Sequence, residues 1–276
     1  MIGRCVLLAA LLPAACAAPL PVELEVMTYN LRYGTALDGA NAWPFRSDAA
    51  IAVIAARRPD VVGLQEVLAF QREALCSALP DYEAFGVGRK ASGGGEQCTI
   101  LFLRERLRRV DGGTFWLSDT PAAAGSKGWD ASLPRICTWV ALETADGVRF
   151  TVFNTHFDHR GVDARLESAR LLARRVADRA QPGPAVVMGD LNAAEDSAPI
   201  ATLTEGLVDT FRALEPDAVE VGTAHGFGGR TGGAKIDYVL VTPGVQALAA
   251  GIVRDRPAGR WPSDHFPVTA RVRLTR

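Results

Sequence analysis

The chain lacks an excess of charge of either sign. Its 276 residues include 30 lysine and arginine residues against 31 aspartate and glutamate residues, a formal net charge of −1. A protein that coats nucleic acid carries a basic surplus, so this balance argues against such a coat, while an enzyme that turns nucleic acid over stays compatible with it. Charged residues at 22% and hydrophobic residues at 48% exclude disordered, collagen-like and coiled-coil classes.

Cysteine and long apolar segments are also scarce. The chain has five cysteines, without a Cys-x-x-Cys pair or the Cys/His spacing of a zinc site. No stretch approaches the ~20 apolar residues that span a bilayer. We therefore expect no function based on cysteine chemistry, and the sequence leaves open whether two of Cys76, Cys98 and Cys137 form a disulfide.

The first 18 residues predict a cleaved secretory signal peptide. Arg4 gives a positive start, residues 5–15 form a short apolar segment, and residues 14–18 are the small side chains of a cleavage zone. The alternative is a lipoprotein signal in which Cys16 becomes the lipidated first residue, although Pro13 stands where such signals prefer leucine. We expect an exported protein, periplasmic or extracellular, which meets the membrane only if Cys16 is lipidated.

Strand and helix patterns alternate through residues 22–276, which we expect to form one domain and a monomer. Apolar residues at three- and four-residue spacing predict a helix over 162–176, and Pro44 opens a second predicted helix over 44–57. The predicted strands cover residues 24–31, 60–65, 98–103, 136–143, 149–154, 185–188, 236–241 and 268–274. Such alternation is typical of an α/β sandwich.

Polar side chains gather where these strands begin or end. The six blocks, in chain order, are Tyr29-Asn30, Gln65-Glu66, Asn154-Thr155-His156, Gly189-Asp190-Leu191-Asn192, Ile236-Asp237-Tyr238 and Ser263-Asp264-His265. Ligands of α/β sheets bind at strand ends, so we expect the blocks to converge on one site. Carboxylates and amides favour a hard cation such as Mg²⁺, and two imidazoles beside a metal-held anion suit phosphoryl chemistry.

The six blocks together, in order from Asn30 to His265, resemble the endonuclease/exonuclease/phosphatase superfamily of metal-dependent phosphoesterases. The resemblance implies a four-layer α/β sandwich with two central mixed β-sheets. It also implies hydrolysis of a phosphomonoester or phosphodiester by an activated water with Mg²⁺, or alternatively Mn²⁺. A nuclease acting on DNA or RNA is the alternative within this class, and the charge balance does not favour it. A non-catalytic module that binds a phosphorylated ligand is the alternative from another class.

The resemblance further implies which residues bind the metal and the phosphate. Glu66 resembles the principal metal ligand, with Asn30 beside it and Asp264 as a further carboxylate on the metal side. His156 resembles a donor to a phosphate oxygen. Arg135, just before a predicted strand, resembles an arginine that contacts the substrate phosphate in the nuclease branch.

A second group of implied roles concerns the attacking water. Asp190 and Asn192 resemble the pair that positions this water and the phosphate. His265 resembles a second catalytic imidazole, with its far nitrogen oriented by Asp237. Either Asp190 or His265 accepts the proton of the water, and the motif does not choose between them.

Three further blocks resemble an uncharacterised bacterial branch of the superfamily, often exported. They are Gly-Thr-Phe-Trp-Leu-Ser at 113–118, Thr-His-Phe-Asp-His at 155–159 and Ala-His-Gly-Phe at 224–227. The residues particular to this branch, Asp158, His159 and His225, are predicted to line the substrate pocket.

Overall fold

The computed structural model describes residues 21–180 and 183–274, so the predicted signal peptide at residues 1–18 lies outside the described part of the chain. The elements, in order, are β1 (Val22–Asn30), α1 (Trp43–Arg57), β2 (Val61–Val67), α2 (Ala69–Ala78), β3 (Tyr82–Phe85), β4 (Gln97–Leu103), β5 (Leu107–Trp116), β6 (Ile136–Thr144), β7 (Arg149–His156), α3 (Val162–Ala177), β8 (Ala185–Asp190), α4 (Ala198–Thr204), β9 (Val208–Asp209), α5 (Thr210–Leu214), β10 (Asp237–Val241), β11 (Gln246–Ile252) and β12 (Val268–Leu274). Short 3₁₀ turns add Gly39–Asn41 and Pro257–Gly259.

The strands form two mixed six-stranded sheets. Sheet A has the order β11-β12-β1-β2-β4-β3, and sheet B has the order β5-β6-β7-β8-β10-β9. Among the described strands, each sheet has one parallel pair at its centre, β1 with β2 and β7 with β8. Because the two strands of a parallel pair end at the same edge, each sheet presents two strand ends side by side.

The layers follow from strands that are apolar on both faces. Leu24 and Val26 of β1 pack with Met188 of β8 in the core between the sheets. On the outer face of sheet A, residues such as Ile54 of α1 form a second core, and Leu172 of α3 belongs to a third core on the outer face of sheet B. The result is the four-layer sandwich that the sequence predicted.

The predicted helices are confirmed, and several short elements escaped prediction. The helix predicted at 44–57 is α1, and the one predicted at 162–176 is α3. The elements without a prediction are β3, β5, β9, β11, α2 and α5. Among these, β5 and β11 are sheet-edge strands with many exposed or half-buried residues, so they lack the continuous apolar run of a central strand.

The sheets are tied together near the strand ends. Asn154 of β7 crosses between them, where its Nδ2 donates to the carbonyl oxygens of Leu64 at 2.9 Å and Thr99 at 3.0 Å. Its Oδ1 accepts from Nε2 of Gln65 at 2.6 Å. Gly63 permits this close approach, because a Cβ there would lie 2.4 Å from Sδ of Met188.

The three cysteines in the described part of the chain are unpaired. Cys76 is exposed, Cys98 and Cys137 are buried, and all three thiols are free. This answers the question that the sequence left open. In the described residues, no helix combines the length and the apolar character needed to cross a membrane.

Candidate active site

The strand-end residues converge at one edge of the sandwich. His156 and Asp190 are the last residues of the neighbouring parallel strands β7 and β8, and they pair directly in the sheet register. Asp237, the first residue of β10, pairs with Asp190 from the other side. Asn30 ends β1 in the facing sheet and reaches Asp190 across the gap.

Asp190 is the hub of this cluster. Its Oδ2 accepts from Nδ2 of Asn30 at 2.9 Å and lies 3.4 Å from Nε2 of His156 and 3.9 Å from Nε2 of His265. Its Oδ1 accepts from the main-chain N–H of Asn192 at 2.9 Å. One buried carboxylate thus contacts groups from four of the six predicted blocks, counting its own.

The two imidazoles favour opposite protonation states. Nδ1 of His265 lies 2.9 Å from Oδ2 of Asp237. Burial opposes a charge on His265, but the carboxylates of Asp237 and Asp190 outweigh it and raise the pKa of this imidazole well above its usual value. Burial and the charge of Arg135 instead lower the pKa of His156 well below its usual value. Burial, reinforced by Asp237, raises the pKa of Asp190 to about 7.

Two of the predicted site residues, Glu66 and Asn192, have a left-handed backbone conformation, which is strained for a residue other than glycine. Glu66 has φ 62° at an irregularity in the pairing of β2 with β4, and Asn192 has φ 46°. A left-handed residue other than glycine costs about 1–3 kcal/mol and is found most often at functional sites. The conformation of Glu66 is held by its own carboxylate, which accepts from the N–H of Tyr33 at 2.9 Å and from Nδ2 of Asn30 at 3.2 Å.

The residue before Asp190 must be glycine for a steric reason. Gly189 lies against β7 so closely that a Cβ would be 2.1 Å from the carbonyl oxygen of Thr155. Because this neighbour is main chain, it cannot move aside. The tight contact sets the end of β8 against the end of β7, where His156 and Asp190 meet.

The donor set fits a divalent cation. Glu66 and Asp264 present carboxylates to the same cleft, and carboxylate oxygens are ligands that Mg²⁺ takes. Asn30 orients the Glu66 carboxylate by donating from Nδ2, while its own Oδ1 accepts from the N–H of Arg32. Atoms of Asp190, Asp237 and His265 also lie within 4.8 Å of one another. In that trio His265 and Asp237 bind each other, so we assign the cation to the Glu66 side.

Arg135 offers an unused donor beside this cluster. The residue is 4% exposed, its Nε lies 3.4 Å from Asp158, and its Nη2 lies 2.9 Å from Nδ1 of His159. Its Nη1 is buried without a hydrogen-bond partner. A buried guanidinium nitrogen without a partner is costly, and an anion in the cleft would satisfy it.

Two residues predicted to line the pocket lie behind it. Asp158 is buried and accepts from the N–H groups of Arg160 and Gly161 and from Oγ of Ser132. Against the cost of burial, these bonds hold the pKa of Asp158 well below its usual range. Its carboxylate therefore has no free side for a substrate and instead fixes Arg135.

His225 also packs away from the cleft. Its ring stacks on Phe266 at 4.0 Å and tilts against Trp261 at 4.9 Å, and its Nδ1 accepts from the N–H of Gly229. Burial lowers its pKa to about 4. Its main-chain N–H donates to the carbonyl oxygen of Asp264, so the structure places His225 as a support of the segment that carries Asp264.

The cleft itself has a volume of about 520 Å³. Predicted residues on its wall are Glu66, Arg135, His156, His159, Asp190, Asn192, Asp264 and His265. Sequence reasoning missed Arg32, Tyr33, Arg89, Glu96 and Leu133. A signal existed for two of these, because Arg89 and Glu96 bracket the glycine-rich loop at 93–95.

Another cavity, of about 420 Å³, lies between α3 and the outer face of sheet B. Phe115, Trp139 and Phe153 line it together with Arg174 and Arg175. None of the residues of the Asp190 cluster contributes to it. The chemistry therefore belongs to the strand-end cleft.

A fully buried arginine supports the sheet A side of the site. Nη1 of Arg46, in α1, donates to the carbonyl oxygens of Leu31 at 2.7 Å and Pro262 at 3.1 Å. Its Nη2 donates to the carbonyl oxygen of Arg32 at 2.9 Å. Its Nε donates to the carbonyl of Asn41 at 2.9 Å. These bonds join the chain just after Asn30 to the chain just before Asp264.

A fully buried lysine supports the sheet B side. Nζ of Lys235 lies 2.7 Å from Asp209, 3.5 Å from Glu195 and 3.4 Å from the centre of the Tyr238 ring. Glu195 follows Asn192 along the chain, and Lys235 precedes Asp237. The lysine thus fastens the loop after β8 to the start of β10.

Comparison with known proteins agrees with this arrangement. The model of the Endonuclease/Exonuclease/phosphatase family matches residues 27–265. An endonuclease/exonuclease/phosphatase from Bacteroides vulgatus is 33% identical with a TM-score of 0.85, covering 92% of this chain and 100% of that one. A mannosyl-6-phosphatase from Bacteroides thetaiotaomicron VPI-5482 is 34% identical with a TM-score of 0.82, covering 90% of this chain and 99% of that one.

More distant similarity extends to the fold alone. The human Nocturnin catalytic domain, solved with a bound sulfate anion, is 21% identical with a TM-score of 0.71, covering 92% of this chain and 95% of that one. No curated protein matches the chain. The family match covers most of the chain, and the two Bacteroides structures share its whole architecture. The chain therefore belongs to the endonuclease/exonuclease/phosphatase family and is a hydrolase of phosphoester bonds.

Proposed function

We propose that the protein is an exported, Mg²⁺-dependent phosphatase that hydrolyses a small phosphomonoester. The observation that carries the proposal is that Arg135, whose buried Nη1 has no hydrogen-bond partner, lines the same cleft as the Asp190 carboxylate and its two imidazoles. Arg135 can bind an anion, and Asp190 and the two imidazoles can orient a water molecule and accept or donate a proton. The similarity to a mannosyl-6-phosphatase supports a monoester as the substrate.

The charge of the cleft favours a small substrate over nucleic acid. Arg32, Arg89 and Arg135 line it, but carboxylates of Glu66 and Glu96 stand among them. Backbone contacts to a polynucleotide depend on a continuous basic surface, because each phosphate contact adds to the affinity. An alternation of charges suits one phosphoryl group and its leaving group. The nuclease is therefore the second candidate, and the same assay tests it.

In this mechanism the chain positions the water, the phosphoryl group and the protons. Asp190 accepts the proton of a water that attacks phosphorus in line with the leaving oxygen, because Asn30 and Asn192 fix its carboxylate. His156 and Arg135 donate to the phosphoryl oxygens. The bond from phosphorus to the leaving oxygen breaks, that oxygen takes a proton from solvent, and Asp190 returns its own proton to solvent, so that no net proton is gained or lost.

The remaining residues stabilise the charge that develops. His265, oriented by Asp237, donates to the phosphoryl group from Nε2. Glu66 and Asp264 would hold Mg²⁺, with Asn30 orienting the Glu66 carboxylate, and the bound ion would supply positive charge that stabilises the transition state.

A panel of phosphoesters tests the activity. We expect the purified protein to release phosphate from sugar phosphates and p-nitrophenyl phosphate, and to leave bis-p-nitrophenyl phosphate and plasmid DNA almost untouched. Asp190→Asn should lower kcat by about 10³-fold or more, because the proton acceptor is lost while the shape is kept. The exposed Asp217→Asn is the matched control and should leave kcat unchanged. Faster turnover of the diester or plasmid would favour the nuclease instead.

Metal binding can be tested without turnover. Mg²⁺ should raise the Tm of the wild type, since a ligand bound only by the folded state stabilises it. Glu66→Gln should lose most of this shift, and the exposed Asp217→Asn should keep it. A shift that persists in Glu66→Gln would contradict the proposed ligand.

Export is a separate part of the proposal and is tested on the native protein. We expect mass spectrometry of the protein from its own cell envelope to find an N-terminus near residue 19. A lipid on Cys16 would identify the lipoprotein alternative. A mature chain that begins at Met1 would contradict export.

A further inference from the structure

The cleft contains an ion pair for which the proposed mechanism has no use. Nη1 of Arg89 donates to Oε2 of Glu96 at 2.9 Å, and Nη2 lies 2.7 Å from Oε1. The side chains are 12% and 17% exposed. Both line the cleft together with Glu66, Arg135 and His156, so the pair lies beside the place proposed for the phosphoryl group.

The turn that carries the pair is rigid. The N–H of Arg89 donates to the carbonyl of Glu96 at 3.1 Å, and Nε1 of Trp116 donates to the carbonyl of Arg89 at 2.7 Å. Gly88 packs so tightly that a Cβ would lie 2.3 Å from the carbonyl oxygen of Gly94. The pair is therefore a fixed part of the cleft wall, held before any ligand arrives.

Stability does not account for a charged pair at this position. Removing two charges from water costs about as much as their attraction returns, so a buried ion pair is commonly no better than two apolar side chains. The pair also keeps unused capacity, because each oxygen of Glu96 faces one nitrogen of Arg89 and can accept further hydrogen bonds. A wall that holds this pair is suited to a polar ligand.

The chemistry of the pair indicates what that ligand is. A hydroxyl group both donates and accepts, and adjacent hydroxyls of a polyol can donate to a carboxylate and accept from a guanidinium in one plane. A nucleobase would instead need an open aromatic face for stacking. Among the described lining residues the ring of Phe, Tyr or Trp type is that of Tyr33, and the Arg32 guanidinium already lies over it, 4.8 Å from its centre.

We propose that Arg89 and Glu96 form a subsite that binds hydroxyl groups of the leaving group, which makes the substrate a phosphorylated sugar or related polyol. This inference rests on the proposed phosphomonoesterase activity, since it assigns the other half of the same substrate. Arg135 and the Asp190 cluster hold the phosphoryl group, and the Arg89–Glu96 pair selects what is attached to it.

The test compares two monoesters that differ in hydroxyl groups. With mannose 6-phosphate, Glu96→Gln should raise KM by about tenfold or more and leave kcat nearly unchanged, as expected for a lost charged hydrogen bond. With p-nitrophenyl phosphate, which has no hydroxyl groups, the same variant should keep the KM of the wild type. The control is Glu83→Gln, because Glu83 is also paired with arginines but lies outside the cleft.

A second variant controls for the charge of Arg89, which Glu96→Gln leaves without its carboxylate partner. Arg89→Gln/Glu96→Gln removes both charges together, and it should show the same selective loss with an unchanged Tm. Equal losses on both substrates, or no loss on either, would overturn the subsite.

A binding measurement separates this inference from the proposed activity. If the wild type hydrolyses neither monoester, the proposed function is wrong, and the subsite is then tested by calorimetry with mannose 6-phosphate in the presence of a chelator. Binding that Glu96→Gln weakens about tenfold supports the subsite. Binding that is absent, or equal in both proteins, overturns it.

Discussion

The two halves of the active site are each held by a buried cation, but the cations are balanced in different ways. Arg46, on the sheet A side, is 1% exposed and donates to four main-chain carbonyls. Lys235, on the sheet B side, is fully buried and faces two carboxylates. One side is held by neutral groups that do not titrate, and the other by charges that do.

The difference shows two ways of supporting a site: Arg46 acts through the geometry of its hydrogen bonds, and Lys235 acts through its charge. Arg46 offers a planar fork whose donors diverge, which allows it to join chain segments on either side of Asn30 and Asp264. Lys235 is a point charge that neutralises Asp209 and Glu195 near the Asp190 loop. We therefore expect the sheet A side to depend on side-chain geometry and the sheet B side to depend on charge balance.

The largest expected effect is that of Arg46→Met. The variant removes one donor from each of four carbonyl groups, and among the described residues only that of Arg32 keeps another, from Nε2 of Gln71 at 3.1 Å. Each buried group left unsatisfied costs about 1–3 kcal/mol. We expect the free energy of unfolding to fall by about 4 kcal/mol or more, measured by urea denaturation. Arg46→Lys keeps the charge but lacks the fork, so it should recover little of this loss. Full recovery by lysine would show that charge, and not geometry, is what this side needs.

Lys235→Met should cost less, about 2 kcal/mol, although breaking a buried pair often costs more. Asp209 keeps its bonds from the N–H groups of Phe211 and Arg212, and Glu195 keeps two bonds from the Arg212 side chain. Lys235→Met/Asp209→Asn should recover part of the loss, because it removes the carboxylate left unpaired. A double variant less stable than the sum of both single changes would contradict the charge-balance account.

The third expected effect is a difference in pH dependence between the two sides. Burial opposes the charge of Glu195, but Arg212 and Lys235 prevail and lower its pKa below the usual 4.5. A lowered pKa gives stability above about pH 4.5, which is lost as the pH falls through the folded value. The penalty of Lys235→Met should therefore shrink between neutral pH and about pH 4, while that of Arg46→Met should not. Urea denaturation at both pH values checks this, and parallel changes would contradict it.

The smallest expected effect is that of Arg57→Met, in the same helix as Arg46. Arg57 pairs with Asp255 at 2.7 Å, but the side chains are 39% and 50% exposed. Exposed pairs contribute about 0–1 kcal/mol, so the stability should change by about 0.5 kcal/mol or less. A loss comparable to that of Arg46→Met would mean that helix charge in general, and not the buried fork, stabilises α1.

The sequence predicted which strand-end residues meet, but not the buried residues that support them. The strand-end pattern predicted Asn30, His156 and Asp190 at one edge, because a strand fixes where its last residue lies. Arg46 could not be recognised, since Phe45 beside it is 60% exposed while Arg46 is buried, the reverse of what hydrophobicity predicts. Only tertiary contacts decide which neighbour turns inward.

The direction of a side chain, which local sequence does not determine, also explains where the branch-specific residues lie. The family resemblance implied that Asp158, His159 and His225 line the substrate pocket. Of these, His159 reaches the cleft wall, whereas Asp158 and His225 turn toward Arg135 and Phe266. A motif fixes the position of a residue along the chain, but the direction of its side chain depends on loops that no local pattern describes.

The Asn154 bridge between the sheets has a consequence for how substrate arrives. Because Asn154 ties Leu64 and Thr99 in sheet A to its own strand in sheet B, the sheets cannot slide past each other without breaking three buried hydrogen bonds. The spacing between the strand ends of the two sheets, where Asn30 faces Asp190, is therefore set when the chain folds. We therefore expect that binding energy is not spent on moving one sheet against the other, and that the observed rate of association rises linearly with substrate concentration.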